Sequence, residues 1–356
     1  MPRFRLPAVA VLSCIVIFMA SGCGRSMERV VVDAENAPSH GAVTLGTLRE
    51  HAPEPFLAPF ALGPAAAKPT YATLPANQPA PLAGRGLTDR LSVLSFNTEH
   101  RTKAWEREVV ARHLQSDLSE TPDFVLLQEV MFHGGGGDRN TADELAKLLN
   151  YHVQATKRTS DSEGVAILSR YPFEFYAEKH LKNQTNELLF GFQRVSVMGE
   201  FFVPGIGRVR VVNVHLTNWG FEAHVRSAQI KETMRWIVQR ELEQPADVTI
   251  LGGDFNMEPD SKEYGLIANA ELTAPLRFED YNGTEPTRGS PGNPRYRIDY
   301  IFVATPGADL RSLGEQRLFT AGLPKNNGKS KFFPSDHVPV LHEFAIGRGM
   351  MAGVTP

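Results

Sequence analysis

From residue 91 onward, the apolar residues of this chain fall in short runs, each closed by a polar or turn-forming residue. Residues 91–96 form one such run, ending at Asn97, and residues 124–127 form another, ending at Gln128 and Glu129. Further runs occupy 165–168, 173–176, 195–203, 209–214, 248–251, 298–303 and 338–344. Their length and richness in valine, isoleucine and phenylalanine predict strands. Pro204-Gly205-Ile206-Gly207, between two of these runs, is a turn signal that predicts a hairpin. Helical spacing appears over 103–118, from Thr141 onward, and over 222–243, with a glycine-run loop at 134–137. Strands outnumber helices, and the helices interrupt hairpin-like pairs. The pattern predicts an α+β fold, a four-layer α/β/β/α sandwich of two mainly antiparallel sheets with outer helices.

Upstream the texture differs. Pro53, Pro55, Pro59, Pro64, Pro69, Pro75, Pro79 and Pro81 punctuate an alanine-rich stretch with little charge. Proline at that density removes backbone donors and blocks regular helix or sheet, so this stretch reads as a tether. At the start, Arg3 and Arg5 precede an almost unbroken apolar run over 6–20, followed by small residues. That is the order of a secretory signal peptide, and the run is short for a membrane span, which needs about 20 residues. Ala20-Ser21-Gly22-Cys23 is similar to a bacterial lipobox, with alanine where leucine is commoner. The similarity implies acylation of Cys23 and a domain held at the cell envelope, outside the cytoplasmic membrane. The resulting plan is a signal peptide over 1–22, a lipid-anchored Pro/Ala-rich tether over 23–89, a catalytic-sized domain over 90–347 and a tail over 348–356.

Composition adds two limits. With Cys14 lost in the signal and Cys23 lipidated, neither of the chain's 2 cysteines is left for a disulfide or a thiolate metal site. Losing Arg3 and Arg5 moves the formal charge from −3 to −5, so the domain lacks the global basic footprint of a tight nucleic-acid binder. A local cationic patch would still serve a catalytic encounter.

The candidate chemistry lies where polar residues close the apolar runs: Asn97, Glu129, Asn213, His215, Asp254, Asn256, Asp299, Asp336 and His337. Each has a bland alternative. Asn97 and Asn256 suit turns, Asp254 suits the cap of a helix near Ser261, and His215 suits a core histidine bonded to a carbonyl. Asp299, between Ile298 and Tyr300, is harder to place that way, because a carboxylate in a strand is costly unless paired. Should these strand ends converge, they make a pocket of acids, amides and imidazoles without cysteine. Hard donors of this kind suit Mg²⁺ or Ca²⁺ better than Zn²⁺.

Seven segments, in order, carry a resemblance. They are Ser95-Phe96-Asn97, Leu127-Gln128-Glu129-Val130, the stretch from Gly164 to Pro172, Asn213-Val214-His215-Leu216, Gly253-Asp254-Phe255-Asn256, the stretch from Arg297 to Phe302, and the stretch from Ser335 to Val340. Together they resemble the signature of the endonuclease/exonuclease/phosphatase superfamily, over residues 91–346. The resemblance implies a Mg²⁺-dependent phosphoester hydrolase, with Mn²⁺ or Ca²⁺ able to substitute. It implies Glu129 and Asp336 as metal-binding acids, with Asn97 orienting Glu129 or contacting the ion. It further implies His337 as the catalytic histidine with Asp299 as its orienting carboxylate, Asp254 and Asn256 as the pair aligning the water, and His215 as a second histidine donating to a phosphate oxygen or the leaving group. Whether Asp254 or His337 takes the proton is left open. A histidine at position 215 is similar to the sphingomyelinase and deoxyribonuclease I-like branches and unlike abasic-site endonucleases.

For substrate, the expectation is a phosphodiester in a phospholipid headgroup or nucleic acid. The lipid anchor would hold the site near a membrane. The alternatives are a phosphomonoesterase on sugar or inositol phosphates and an envelope-binding lipoprotein with a degenerate site. The stretch 325–333, with Lys325, Lys329, Lys331, Phe332 and Phe333, should lie at the pocket rim, either as a substrate contact or as a solvated loop whose rings pack inward. Trp219-Gly220-Phe221 is a further expected wall, and 199–204 a hairpin tip or buried sheet.

Overall fold

The computed structural model describes residues 89–100, 103–116, 118, 120–133, 139–157, 162–181, 194–218, 223–272, 274, 276–325 and 328–347. The signal peptide, Cys23, the tether, the glycine run, Trp219-Gly220-Phe221 and the tail lie outside them.

In chain order the elements are β1 (Arg90–Asn97), α1 (Ala104–Ser116), β2 (Phe124–His133), β3 (Arg139–Asn140), α2 (Thr141–Leu149), β4 (His152–Lys157), β5 (Glu163–Ser169), β6 (Phe175–His180), β7 (Val195–Val203) and β8 (Gly207–His215). Then come α3 (Ala223–Glu243), β9 (Val248–Asp254), α4 (Lys262–Ala268), β10 (Glu279–Asp280), β11 (Arg288–Ser290), β12 (Asn293–Tyr296), β13 (Asp299–Ala304), β14 (Leu310–Arg317), β15 (Leu323–Pro324), β16 (Lys331–Phe332) and β17 (Val340–Ile346). One sheet runs β14-β17-β1-β2-β5-β4, with β3 beside β2, and the other runs β10-β13-β9-β8-β7-β6.

Nearly all neighbours are antiparallel. The exceptions are β1 with β2 and β8 with β9, which pair in parallel. Parallel neighbours need a crossover, and here α1 and α3 supply one each. The α/β/β/α order follows from which residues are apolar on each face. Leu91, Val93, Phe124 and Leu126 of one sheet pack against Val209, Val211, Val248 and Ile250 of the other. On the outer face of the first sheet, Leu94 and Leu127 meet Val110 and Leu114 of α1 and Leu145 of α2. On the outer face of the second, Val212 and Leu251 meet Ile230, Met234 and Ile237, which share one stripe of α3. No described helix is long and apolar enough to cross a membrane.

Two departures from the sequence pattern matter. β2 does not stop at Gln128 but continues to His133 through an irregularity between Gln128 and Val130, where Glu129 adopts φ 55°. A bulge of this kind turns one side chain off the strand's alternation. β14 adds an edge strand whose exposed, polar sequence carries no buried face and so no hydrophobic signal.

Candidate active site

Side chains at alternate positions of a strand share a face, so the layer between the sheets can be followed along each strand. On β1 that face runs Leu91, Val93, Ser95, Asn97; on β8 it runs Val209, Val211, Asn213, His215; on β9, Val248, Ile250, Gly252, Asp254. Apolar residues fill most of the layer, and polar ones close it at a single end. Registry lines up the second sheet's contribution: His215 and Asp299 both lie opposite Asp254, on its two neighbouring strands.

Asp254 is the hub of the cluster. Its Oδ2 accepts from Asn97 Nδ2 at 3.0 Å and lies 3.6 Å from His215 Nε2 and 3.8 Å from His337 Nε2. Its Oδ1 accepts the backbone N–H of Asn256 at 2.9 Å, and Asn256 Nδ2 donates to the carbonyl of Leu216 at 3.1 Å. Asn97 Nδ2 also donates to Glu129 Oε1 at 3.1 Å, so one amide ties acids from both sheets. His337 is held by Asp299, whose two carboxylate oxygens lie 2.9 and 3.1 Å from Nδ1. Asp336 Oδ1 is 3.8 Å from His337 Nε2, and its Oδ2 is 3.6 Å from Arg288 Nε. The eight predicted site residues of the domain are therefore brought together.

Asn213 is brought to the same layer for another purpose. Its Nδ2 donates to the carbonyls of Leu127 and Ala166 at 2.9 and 2.8 Å, and its Oδ1 accepts from Gln128 Nε2 at 2.8 Å. It ties one sheet to the other with every polar atom engaged.

Burying this many acids has consequences for their protons. Burial, reinforced by the neighbouring Asp299 charge, pushes the Asp254 carboxyl up to about 7. Burial likewise raises Glu129, against the opposing influence of His100. For His337, burial disfavours the charged ring, but the Asp299 carboxylate, joined by those of Asp254 and Asp336, outweighs it and carries the imidazole up to about 10. Among the described residues, two donor sets have atoms within 4.8 Å of one another: His100, Glu129 and Glu163, and Asp254, Asp299 and His337. A pocket rich in carboxylate oxygens, with two of its acids raised by uncompensated burial, fits a divalent cation.

Residues 94–337 match the Endonuclease/Exonuclease/phosphatase family. The chain belongs to that family. Its members are hydrolases acting on phosphoester bonds and generally use a divalent metal. Among solved structures, the Bacteroides thetaiotaomicron mannosyl-6-phosphatase is similar with a TM-score of 0.58 at 18% identity, covering 72% of this chain and 99% of its own. The human nocturnin catalytic domain with bound sulfate gives 0.53 at 18%, covering 73% and 96%. Truncated TDP2 of Caenorhabditis elegans gives 0.53 at 20%, covering 72% and 97%. At such identities the likeness is one of fold. No curated protein matches the chain by sequence.

Within this member of the endonuclease/exonuclease/phosphatase family, the sequence pattern left several site residues unnoticed. Glu163 Oε1 lies 3.6 Å from His215 Nδ1, and Arg194 Nη1 lies 3.0 and 3.1 Å from the two ring nitrogens of His215. Glu163 is in phase with Val165 and Ile167, so alternation carried back along that apolar run points to it. Glu99 and His100 had no such signal, because they follow the end of β1.

A cavity of about 220 Å³ opens beside Asp336 and His337, walled by Pro291, Pro294, Phe319 and Phe333. Phe333 rests against Gly292, where a Cβ would come within 2.7 Å of the ring. Phe332 turns inward onto Trp105, with centroids 4.7 Å apart. The expected rim segment thus reaches the pocket, with its rings packed rather than displayed. On β7, Phe201 is buried and Phe202 exposed.

Proposed function

We propose that the protein is a Mg²⁺-dependent phosphodiesterase that works by in-line attack of water. The observation that carries this reading is the meeting of His337, braced by Asp299, with Asp254 and the Asn97–Glu129 pair at one end of the sandwich. Glu129 and Asp336 would hold the cation, with Asn97 ordering Glu129. When bound, the ion offsets negative charge accumulating on the phosphoryl oxygens.

The remaining steps belong to the chain. Asp254, fixed through Oδ1 by the Asn256 amide, directs Oδ2 at the attacking water and, with a carboxyl raised to about 7, takes its proton near neutrality. His337, kept protonated by Asp299, donates to a phosphoryl oxygen. His215, beside Arg194, faces the same space and donates to a phosphoryl oxygen or to the departing group.

A diester suits the charge balance. Glu99, Glu129, Glu163, Asp254, Asp299 and Asp336 surround the site against the guanidinium groups of Arg194 and Arg288. Such an excess of acid repels a dianionic monoester more than a monoanionic diester. Phe332 is buried against Trp105 and Phe333 is taken up in the cavity wall, whereas exposed Arg295 and Tyr296 on β12 suit the phosphates and bases of a nucleic-acid strand, favouring it over a phospholipid headgroup. The alternative, a phosphomonoesterase, draws support from the likeness to a mannosyl-6-phosphatase. We also propose that Cys23 is lipidated and tethers the domain outside the cytoplasmic membrane.

The test is hydrolysis of bis(p-nitrophenyl) phosphate, p-nitrophenyl phosphate, single-stranded DNA and sphingomyelin, with Mg²⁺ and with EDTA. Chelator-sensitive cleavage of the diester and the DNA is expected. Cleavage of the monoester alone would select the phosphatase alternative, and activity indifferent to EDTA would remove the metal role of Glu129 and Asp336.

A further inference from the structure

Immediately beyond β1, the chain makes a turn that no burial requirement explains. Glu99 and His100 adopt φ 48° and 54°, two successive non-glycine residues in the left-handed region. That region is sterically unfavourable for both, and such strain persists only where surrounding contacts enforce it. Here every residue of the turn is engaged with the candidate metal-binding acids. Asn97 Oδ1 accepts the Glu99 backbone N–H at 3.0 Å, which starts the turn. Thr98 Oγ1 donates to the carbonyls of Gln128 and of Glu129 itself, at 3.0 and 3.2 Å, pinning the turn to the β2 bulge.

From this anchor two side chains reach out. Glu99 Oε2 accepts the backbone N–H of Asp336 at 3.0 Å, across 237 positions of sequence. His100 Nδ1 lies 3.2 Å from Glu129 Oε2, and its Nε2 lies 2.8 Å from Glu163 Oε2. The two oxygens of Glu129 are therefore divided: Asn97 takes one and His100 the other. The His100 side chain keeps 48% of its surface exposed, with a carboxylate beside each ring nitrogen.

We propose that the Thr98–His100 turn is a positioning element for the cation site, with His100 setting the orientation of the Glu129 carboxylate and Glu99 that of the Asp336 backbone. The proposal rests on the metal reading of Glu129 and Asp336. Neither residue needs to touch substrate. A carboxylate whose two oxygens are both braced loses less freedom on coordinating an ion, so removing a brace weakens binding. A second cation between His100, Glu129 and Glu163 is a poorer account, because Arg194 already stands 3.7 Å from Glu163 Oε1.

The test is calorimetric titration of Mg²⁺ into the metal-stripped full chain, alongside kcat and KM for bis(p-nitrophenyl) phosphate at saturating Mg²⁺. His100→Ala and Glu99→Ala should each raise the Mg²⁺ Kd about tenfold or more, with kcat at saturation falling by less than that factor. Glu99→Gln keeps an acceptor oxygen for the Asp336 amide and should bind Mg²⁺ nearly as the parent does. Unchanged Kd in both alanine variants, with lowered melting temperature, would overturn the proposal and make the turn structural. A parent that binds no divalent ion would overturn the metal reading, and the positioning role with it.

Discussion

His337 meets Asp299 through Nδ1 and points Nε2 at Asp254, 3.8 Å away, so a single ring links the acid that braces it to the acid at the hub of the cluster. Asp299→Asn keeps the shape and removes the charge. We expect kcat to fall about tenfold to a hundredfold, as when the orienting partner of a working imidazole is lost. A histidine raised from 6.5 to about 10 stabilises the fold fully below pH 6.5, and that contribution disappears as pH rises through about 10. The variant should therefore melt with a flatter pH dependence between those limits. An unchanged profile in EDTA-treated protein would detach His337 from Asp299.

Asp254 shifts in the same direction but over a lower pH range, and here the fold disfavours the charged form instead of favouring it. Its carboxyl, raised to about 7, keeps a proton in the folded state that the unfolded chain gives up near its ordinary 3.8. Metal-free protein should lose stability as pH climbs from about 4 through 7. Asp254→Asn should abolish turnover, by at least about a hundredfold, while melting higher than the parent at pH 8 in EDTA. A variant that is both inactive and less stable would contradict this account of the buried charge.

Cation binding predicts stabilisation in its own right. Mg²⁺ at a hundred times its Kd should add roughly 2.7 kcal/mol to the parent. Glu129→Gln should remove most of that gain. Equal thermal shifts in the two proteins would place the ion elsewhere.

Asn213 and Asn97 look alike in sequence, each a polar residue near the end of an apolar run, yet they should behave differently. Asn213→Leu removes the ties to Leu127, Ala166 and Gln128 in a fully buried setting and should cost about 3 kcal/mol in urea unfolding. Asn97→Leu should weaken Mg²⁺ binding more than it weakens the fold. Matching losses in both assays would erase the distinction.

For the N-terminal anchor, Cys23→Ser should move the protein from the membrane fraction to the soluble one and stop incorporation of labelled palmitate. Unaltered fractionation would refute lipidation.

The sandwich and its site differed in how far the sequence revealed them. Strands with a buried face, such as β7 and β9, were legible from their apolar runs, and polar closing residues such as Asp254 and His337 marked the site. Exposed β14 was not, because a strand that buries little leaves no hydrophobic trace. The turn after β1 was hidden for a different reason. Nothing in Thr98-Glu99-His100 announces a left-handed backbone, and its partners at Glu163 and Asp336 are assembled only by the fold. Asn213 shows the converse hazard, a polar strand residue that joins sheets.

His337 comes just before β17, and that last strand lies between β14 and β1 inside its sheet. A polypeptide still being made, or clipped ahead of residue 340, therefore has a gap in that sheet and no anchored histidine. On the proposed reading, the site is complete only once β17, the last of the described strands, has closed the gap between β14 and β1.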